Sequence, residues 1–329
     1  MTTAPSTLLE PHTRRVEVDA EAVLTRVEWH VVRRLDGLLQ GDYRSLFTGQ
    51  GFDLAEVRED QPEDDVRYMD WNVTARMDQP YVRQYVEDRD ITAWLLLDLS
   101  PSVDFGTTIA LKRDLVIDFA GVMARVLTRH GNRVGALLFS GGVDEVLLPR
   151  GGHIQALRLI HQLIRSDAPR SGGTTNLALA LDRAAETLKR RSLDYIVSDF
   201  ITAPGWEMAL SRLAERHEII AVWLYDPREE EPPAIGPLIL QDAETGEQVY
   251  VDTNDRGFRQ RFEALVRERR QGLERTFARH GIDVLSLSTE GDLVREIARF
   301  AHLRRDIRRR GGSARAATSG GVAKGVGAG

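Results

Sequence analysis

The feature that most constrains this chain is an alternation: from Ile91 onward, short apolar runs take turns with segments of helical period. ITAWLLLD, NRVGALLFS, LDYIVSDF, EIIAVWLYD and IDVLSLS have the length and near-continuous apolar character of strands covered on both faces. Leu111, Leu115, Phe119, Val122 and Val126 form one stripe between the first two runs, and GGHIQALRLIHQLI, TTNLALALDRAAETLKRR, WEMALSRLAERH and residues 258–280 read as further helices, with a closing helix over 291–305. Strand, helix and strand in succession demand right-handed crossovers onto one sheet. The expected fold class is therefore α/β, a doubly wound, mostly parallel sheet, with VDEVLLP on its edge and PPAIGPLIL and EQVYVD as a hairpin about DAETG.

The flanks divide the chain further. Residues 1–18 are polar and rich in Thr and Pro, residues 306–329 are mostly small-residue low complexity, and both are expected to be disordered. Over 19–90 the pattern predicts a helix carrying Val23, Val27, Val31, Leu35 and Leu38, followed by a small β-rich lead-in. In that lead-in Trp71 is expected to be buried, with Arg67, Asp70 and Arg76 in a charge network that fixes it to the main domain at 91–305.

Composition narrows the function. With no cysteine there is no thiolate metal site and no cysteine nucleophile, so any metal must be held by oxygen or imidazole. The eight histidines show no paired ligand spacing, and His153, His161 and His217 are expected to be surface or half-buried residues. No run reaches the roughly 18 apolar residues of a membrane span, and the start lacks the apolar block of a secretory signal, so the expected location is cytoplasmic. A net charge of −6 exerts no pull towards nucleic acid, and the basic stretch at 304–315 reads as a solvated helix end.

The chemistry concentrates in three loops. LLLDLSPSVDFGT ends an apolar strand in Asp98 and continues with Ser100 and Ser102, whose alternate spacing turns two hydroxyls towards one point. Open α/β sheets bind ligands beyond the carboxyl ends of their strands, where Asp98 falls. SGGTTN precedes a helix, its glycines Gly172 and Gly173 allowing close backbone approach and Thr175 offering a hydroxyl, with Thr174 as the fallback. VSDF closes another strand with Asp199. Singly, each residue reads as a helix cap or turn former. Together, Asp98, Ser100, Ser102, Thr175 and Asp199 supply the oxygens that a hard cation such as Mg²⁺, or Mn²⁺ or Ca²⁺, takes as ligands.

D-L-S-P-S, G-G-T-T-N and V-S-D-F resemble the three loops of the metal-ion-dependent adhesion site of von Willebrand factor A domains, in the same order. Upstream, GDYRSLFTGQGFDLAEVRED, EDDVRYMDWNVTAR and YVRQYVEDRDITAWLLLDLSPS resemble the bacterial domain of unknown function 58 family, which couples such a lead-in to that domain; the resemblance spans about 41–301. It implies a von Willebrand factor A-like, Rossmann-like fold and a MoxR-type AAA+ ATPase as companion, in systems that act as chaperones or mature other proteins. The chain departs from the family in having Val103 after the second serine and in lacking two membrane helices near its start, the latter implying a soluble member.

Neutral hydroxyls and at most two carboxylates leave a divalent ion with residual positive charge, so the expected partner is a protein offering a Glu or Asp side chain, and the expected function is metal-dependent protein binding without a chemical step. The alternative is a metal-dependent hydrolase or phosphatase using Asp98. It is disfavoured because Ser100 stands where a second acid is needed, and because the sequence holds neither a nucleophile elbow nor a phosphate loop.

Overall fold

The computed structural model describes residues 34–35, 56–59, 69, 71–77, 79–84, 91–107, 110–166 and 175–319. The expectations placed on residues 1–18, on most of the 19–39 helix, on the Arg67, Asp70 and Trp71 network and on Gly172, Gly173 and Thr174 lie outside the residues or side chains described. Arg34 and Leu35 are helical, and Leu35 is buried in the main core. The lead-in contributes β1 (Glu56–Glu59), α1 (Trp71–Met77) and β2 (Tyr81–Gln84), with β1 and β2 paired antiparallel.

The main unit runs β3 (Thr92–Asp98), α2 (Lys112–Arg129), β4 (Arg133–Phe139), β5 (Val143–Arg150), α3 (His153–Arg165), α4 (Leu177–Thr187), β6 (Leu193–Ser198), α5 (Trp206–Arg216), β7 (Glu218–Tyr225), the single turn α6 (Pro227–Glu230), β8 (Pro237–Gln241), β9 (Gln248–Asp252), α7 (Arg256–Arg279), β10 (Asp283–Ser288) and α8 (Leu293–Ser319). Six strands form one sheet in the order β10-β7-β6-β3-β4-β5, parallel throughout except for β5 at the edge. This is the doubly wound, mostly parallel sheet that the alternation predicts. β8 and β9 stand apart as the expected hairpin.

Period-2 alternation along β3 builds both faces of the core. Ala93, Leu95 and Leu97 meet α2, α3 and α8 through Val116, Phe119, Leu159 and Ile297. Trp94 and Leu96 turn the other way, to α4, α5 and α7 through Leu181, Leu210 and Phe277. A strand with helices on both sides has no polar face, which is why β3 reads as an unbroken apolar run from Ala93 to Leu97. Among the described residues no helix is long and apolar enough to cross a membrane.

The strand order decides where a site can form. From β3 the chain moves outward to β4 and β5, then returns to place β6 on the opposite flank of β3. The crevice beyond the carboxyl ends of β3 and β6 is thus the switch point of the sheet, where α/β folds open to ligands.

Three details depart from expectation. α8 extends to Ser319, well past residue 305, and Arg304 within it is buried against Asp283 and Glu218 rather than solvated. His217 is also buried, its Nδ1 lying 2.8 Å from the Ser192 hydroxyl.

Candidate functional site at the carboxyl edge of the sheet

Leu97 pairs with Val197 across β3 and β6, so Asp98 and Ser198 come out side by side at the switch point. Asp98 is fully buried. Its Oδ1 accepts the Ser100 amide at 2.9 Å and its Oδ2 accepts the Ser198 hydroxyl at 2.5 Å, so the carboxylate braces its own loop instead of capping α2. Leu99 extends the pairing with Phe139 by one bond, and Pro101 then starts a single 3-10 turn, in which the Val103 amide donates to the Ser100 carbonyl. That turn brings the Ser100 and Ser102 hydroxyls within 3.0 Å of each other, both buried. The spacing D-x-S-x-S thus brings the two hydroxyls together in the loop that Asp98 braces.

Asp199 stands one residue beyond β6. Its Oδ1 accepts the Ile201 amide at 2.9 Å, its Oδ2 accepts the Lys112 ammonium at 2.7 Å, and its carbonyl accepts Arg269 at 2.7 Å. The next residue, Phe200, adopts φ 55°, a left-handed conformation that costs a bulky residue strain. The strain is held in place by the packing of the Phe200 ring against Trp206 and Phe277, at centroid distances of 5.8 and 5.0 Å.

Thr175 reaches the same edge through the loop that carries Asp199. The Thr175 carbonyl accepts the Thr202 hydroxyl at 2.7 Å and the Ala203 amide at 3.2 Å, while the Asn176 amide donates to Ser140 at the end of β4. Asn176, not Thr175, caps α4, accepting the Leu179 amide at 3.1 Å. The Thr175 side chain, fully buried, is left for another role, and it donates to Glu244.

The electrostatics are unusual. Burial, followed by the negative charge of Asp199, raises the Asp98 carboxyl to about 7, against the smaller opposing effects of Ser198 and Ser100. Among the described residues Asp98 has only neutral hydrogen-bond partners. Among the described residues the one cation bonded to a side chain of this carboxylate pair is Lys112, which serves Asp199 and Glu229. Asp199 and Glu229 thus share one ammonium beside Asp98 and a cluster of hydroxyl oxygens, a hard-oxygen donor set suited to a divalent cation. No three His, Asp or Glu side chains gather among the described residues, so an ion here would rely on the serine and threonine oxygens.

Sequence reasoning missed Lys112, Ser198, Glu229 and Glu244. Ser198 sits inside the V-S-D-F motif, whereas Lys112 opens a helix and Glu229 and Glu244 lie in surface segments, with no local signal that they reach the site. Asp226, buried at the end of β7, is a further one. Its carboxylate receives the Thr107 amide and hydroxyl, the Thr289 hydroxyl and the Arg228 amide, and although burial opposes them these bonds together hold it below the usual carboxylate range. It fastens the loop before α2 to β7 and β10.

Known proteins match most of this chain. Residues 56–272 match the family described as "Protein of unknown function DUF58". The uncharacterized protein Rv1480 of Mycobacterium tuberculosis is 36% identical over 305 residues, 92% of this chain and 96% of the relative. The uncharacterized protein MAV169 of Mycobacterium avium is 33% identical over 156 residues, 47% of this chain and 92% of its own length. Among solved structures, the conserved hypothetical protein BatB from Bacteroides thetaiotaomicron is similar with a TM-score of 0.45 at 14% identity, covering 66% of this chain and 99% of that one. The SpRpn10 VWA domain is similar with a TM-score of 0.35 at 14% identity, covering 63% and 92%. With residues 56–272, about two thirds of its length, inside the matched span, the chain belongs to the DUF58 family.

Proposed function

We propose that the chain is a divalent-cation-dependent protein-interaction module, in which Asp98, Ser100, Ser102, Thr175 and Asp199 hold Mg²⁺, Mn²⁺ or Ca²⁺ and a partner protein offers a Glu or Asp side chain to it. The supporting observation is the meeting of Asp98, Ser100 and Ser102 with the Asp199 loop at the switch point, where the Asp98 carboxyl is raised to about 7 and, among the described residues, has no cation of its own. A bound divalent ion would supply the charge that offsets the two acids and would leave one position for an outside carboxylate.

The chain's own residues perform the rest. Asp98 orders the Ser100 amide so that the two serine hydroxyls face inward. Asp199 is pinned at three atoms, which keeps its loop from collapsing onto Asp98. Lys112 neutralises part of the acid charge, so that affinity for the ion is moderate and open to control. Recognition on this reading is ground-state coordination, with no bond made or broken. Resemblance to the family supports a MoxR-type AAA+ ATPase as the partner.

The test is a thermal melt with and without Mg²⁺, followed by affinity capture with and without EDTA. A cation present at about 100 times its dissociation constant stabilises the native state by about 2.7 kcal/mol. Wild type should gain that stabilisation, and Asp98→Ala should fold but lose it. An Asp98→Ala protein that responds to Mg²⁺ as wild type does, or captured proteins unchanged by EDTA and by Ser100→Ala, would overturn the reading.

A further inference from the structure

The β8–β9 hairpin is an arm that the sheet does not need. Ile239, Val249 and Tyr250 on its strands are more than half exposed, and it joins none of the six strands of the main sheet. Its base is closed by Thr253, which bonds the Gly236 carbonyl, and its tip is closed by Asp242, whose Oδ1 accepts the Glu244 amide at 3.0 Å and the Thr245 hydroxyl at 2.9 Å. Gly246, at φ 72°, supplies the left-handed turn. The tip is therefore locally rigid, and it projects one side chain inward: Glu244 is half-buried while Ala243 and Thr245 on either side of it are exposed.

That side chain ends on Thr175. Glu244 Oε2 accepts the Thr175 amide at 3.0 Å and Oε1 accepts the Thr175 hydroxyl, a two-point contact across 69 residues of sequence. Thr175 is fully buried and is not the cap of α4, so nothing in the local helix geometry calls for a carboxylate there. On the cation-binding reading, on which this inference rests, Thr175 is an ion ligand, and the group lying against it has the chemistry expected of a partner.

We infer that Glu244 is an internal ligand of the sheet-edge site. The hairpin carries a carboxylate of this chain into the position a partner's carboxylate would take, and an outside protein gains the site when the tip lifts away. The arm is built for such a movement, since its turn is held by its own hydrogen bonds and its exposed strands leave it free to move as a unit. The site is then self-occupied at rest, and partner affinity is set against an intramolecular competitor.

Mn²⁺ alone serves as the probe, read by water proton relaxation and by titration, on the full chain as wild type, Glu244→Ala, Asp98→Ala and Glu247→Ala. Glu247 is an exposed acid of the same hairpin and controls for charge. Removing Glu244 should weaken Mn²⁺ binding several-fold and raise the relaxation of bound Mn²⁺ several-fold, because a six-coordinate ion held by five side chains and Glu244 carries no exchanging water until that sixth position opens. Acetate should return the Glu244→Ala value to that of wild type and leave wild type and Glu247→Ala unmoved. If Glu244→Ala matches wild type in affinity and relaxation while Asp98→Ala fails to bind, the cation reading stands and the internal ligand is overturned. If wild type binds no Mn²⁺, or Asp98→Ala binds it equally well, both fall together.

Discussion

The Lys112 ammonium, wholly buried at the first turn of α2, lies 2.7 Å from Asp199 Oδ2 and 2.8 Å from Glu229 Oε1. One cation thereby ties the loop after β6 to the turn after β7, and it sits 5.6 Å from the centroid of the Phe105 ring. It is the positive counterpart to the Asp199 and Glu229 carboxylates.

Removing that charge while keeping the bulk should be costly. Lys112→Met leaves Asp199 buried without its ion pair, and breaking one partner of such a pair destabilises by about 3–5 kcal/mol, towards the lower figure here because Glu229 is partly exposed. Urea unfolding should show the loss as a lower midpoint at unchanged slope. If the cation reading holds, saturating Mg²⁺ should recover more stability in Lys112→Met than it adds to wild type, since the added ion then offsets a larger surplus of negative charge. A midpoint within about 0.5 kcal/mol of wild type would mean that the pair contributes nothing net.

A second prediction concerns the opposite edge of the sheet. Asp194, at the amino end of β6, is wholly buried, and burial raises its carboxyl to about 8; its Oδ2 lies 3.6 Å from His217 Nδ1. Burial lowers His217 to about 4. At neutral pH both are uncharged. A carboxyl whose folded value is raised contributes stability that is full at acid pH and is lost as pH climbs from about 4 to about 8, because the unfolded chain releases its proton first. Asp194→Asn abolishes that slope. Its melting temperature relative to wild type should therefore rise between pH 5 and about pH 8 and level off above it, by about 2–4 °C per kcal/mol, and a pH-independent difference would refute the account.

A third rests on packing alone. In β4, a Cβ on Gly135 would come within 2.9 Å of Trp94 Cε3 and 3.0 Å of the Leu147 carbonyl and Pro149 Cγ. Two of these belong to β5, which crosses antiparallel at a register shift between Val134 and Ala136. Gly135→Ala should cost about 1–3 kcal/mol by overpacking, read by thermal melting, with the Mg²⁺ response intact because the site lies at the far end of the strand.

The elements of the sheet are legible in the sequence because both periods are written in side chains. Val143–Arg150 is recognisable as an edge strand from its mixed polarity, and D-x-S-x-S carries its own geometry, two residues being enough to turn hydroxyls to a common point. The helix at 177–187 begins later than its composition suggests because Asn176 takes the cap and leaves Thr175 outside. Arg304 reads as solvated in sequence because nothing local announces that Asp283 and Glu218 converge on it from β10 and β7.

The properties that the amino acids settle unaided are therefore local and periodic: which segments are strands and helices, the layered fold class, and the loop in which Asp98, Ser100 and Ser102 stand together. Which distant groups meet that loop is a matter of the folded chain alone. Lys112, Glu229 and Glu244 come from a helix start, a surface turn and a hairpin tip, and they reach the carboxyl edge because the strand order β7-β6-β3-β4 sets their elements around one switch point. Periodicity records which face of an element is buried, but the partner of a charge across 87 or 69 residues is fixed by the path of the chain, which no local pattern encodes.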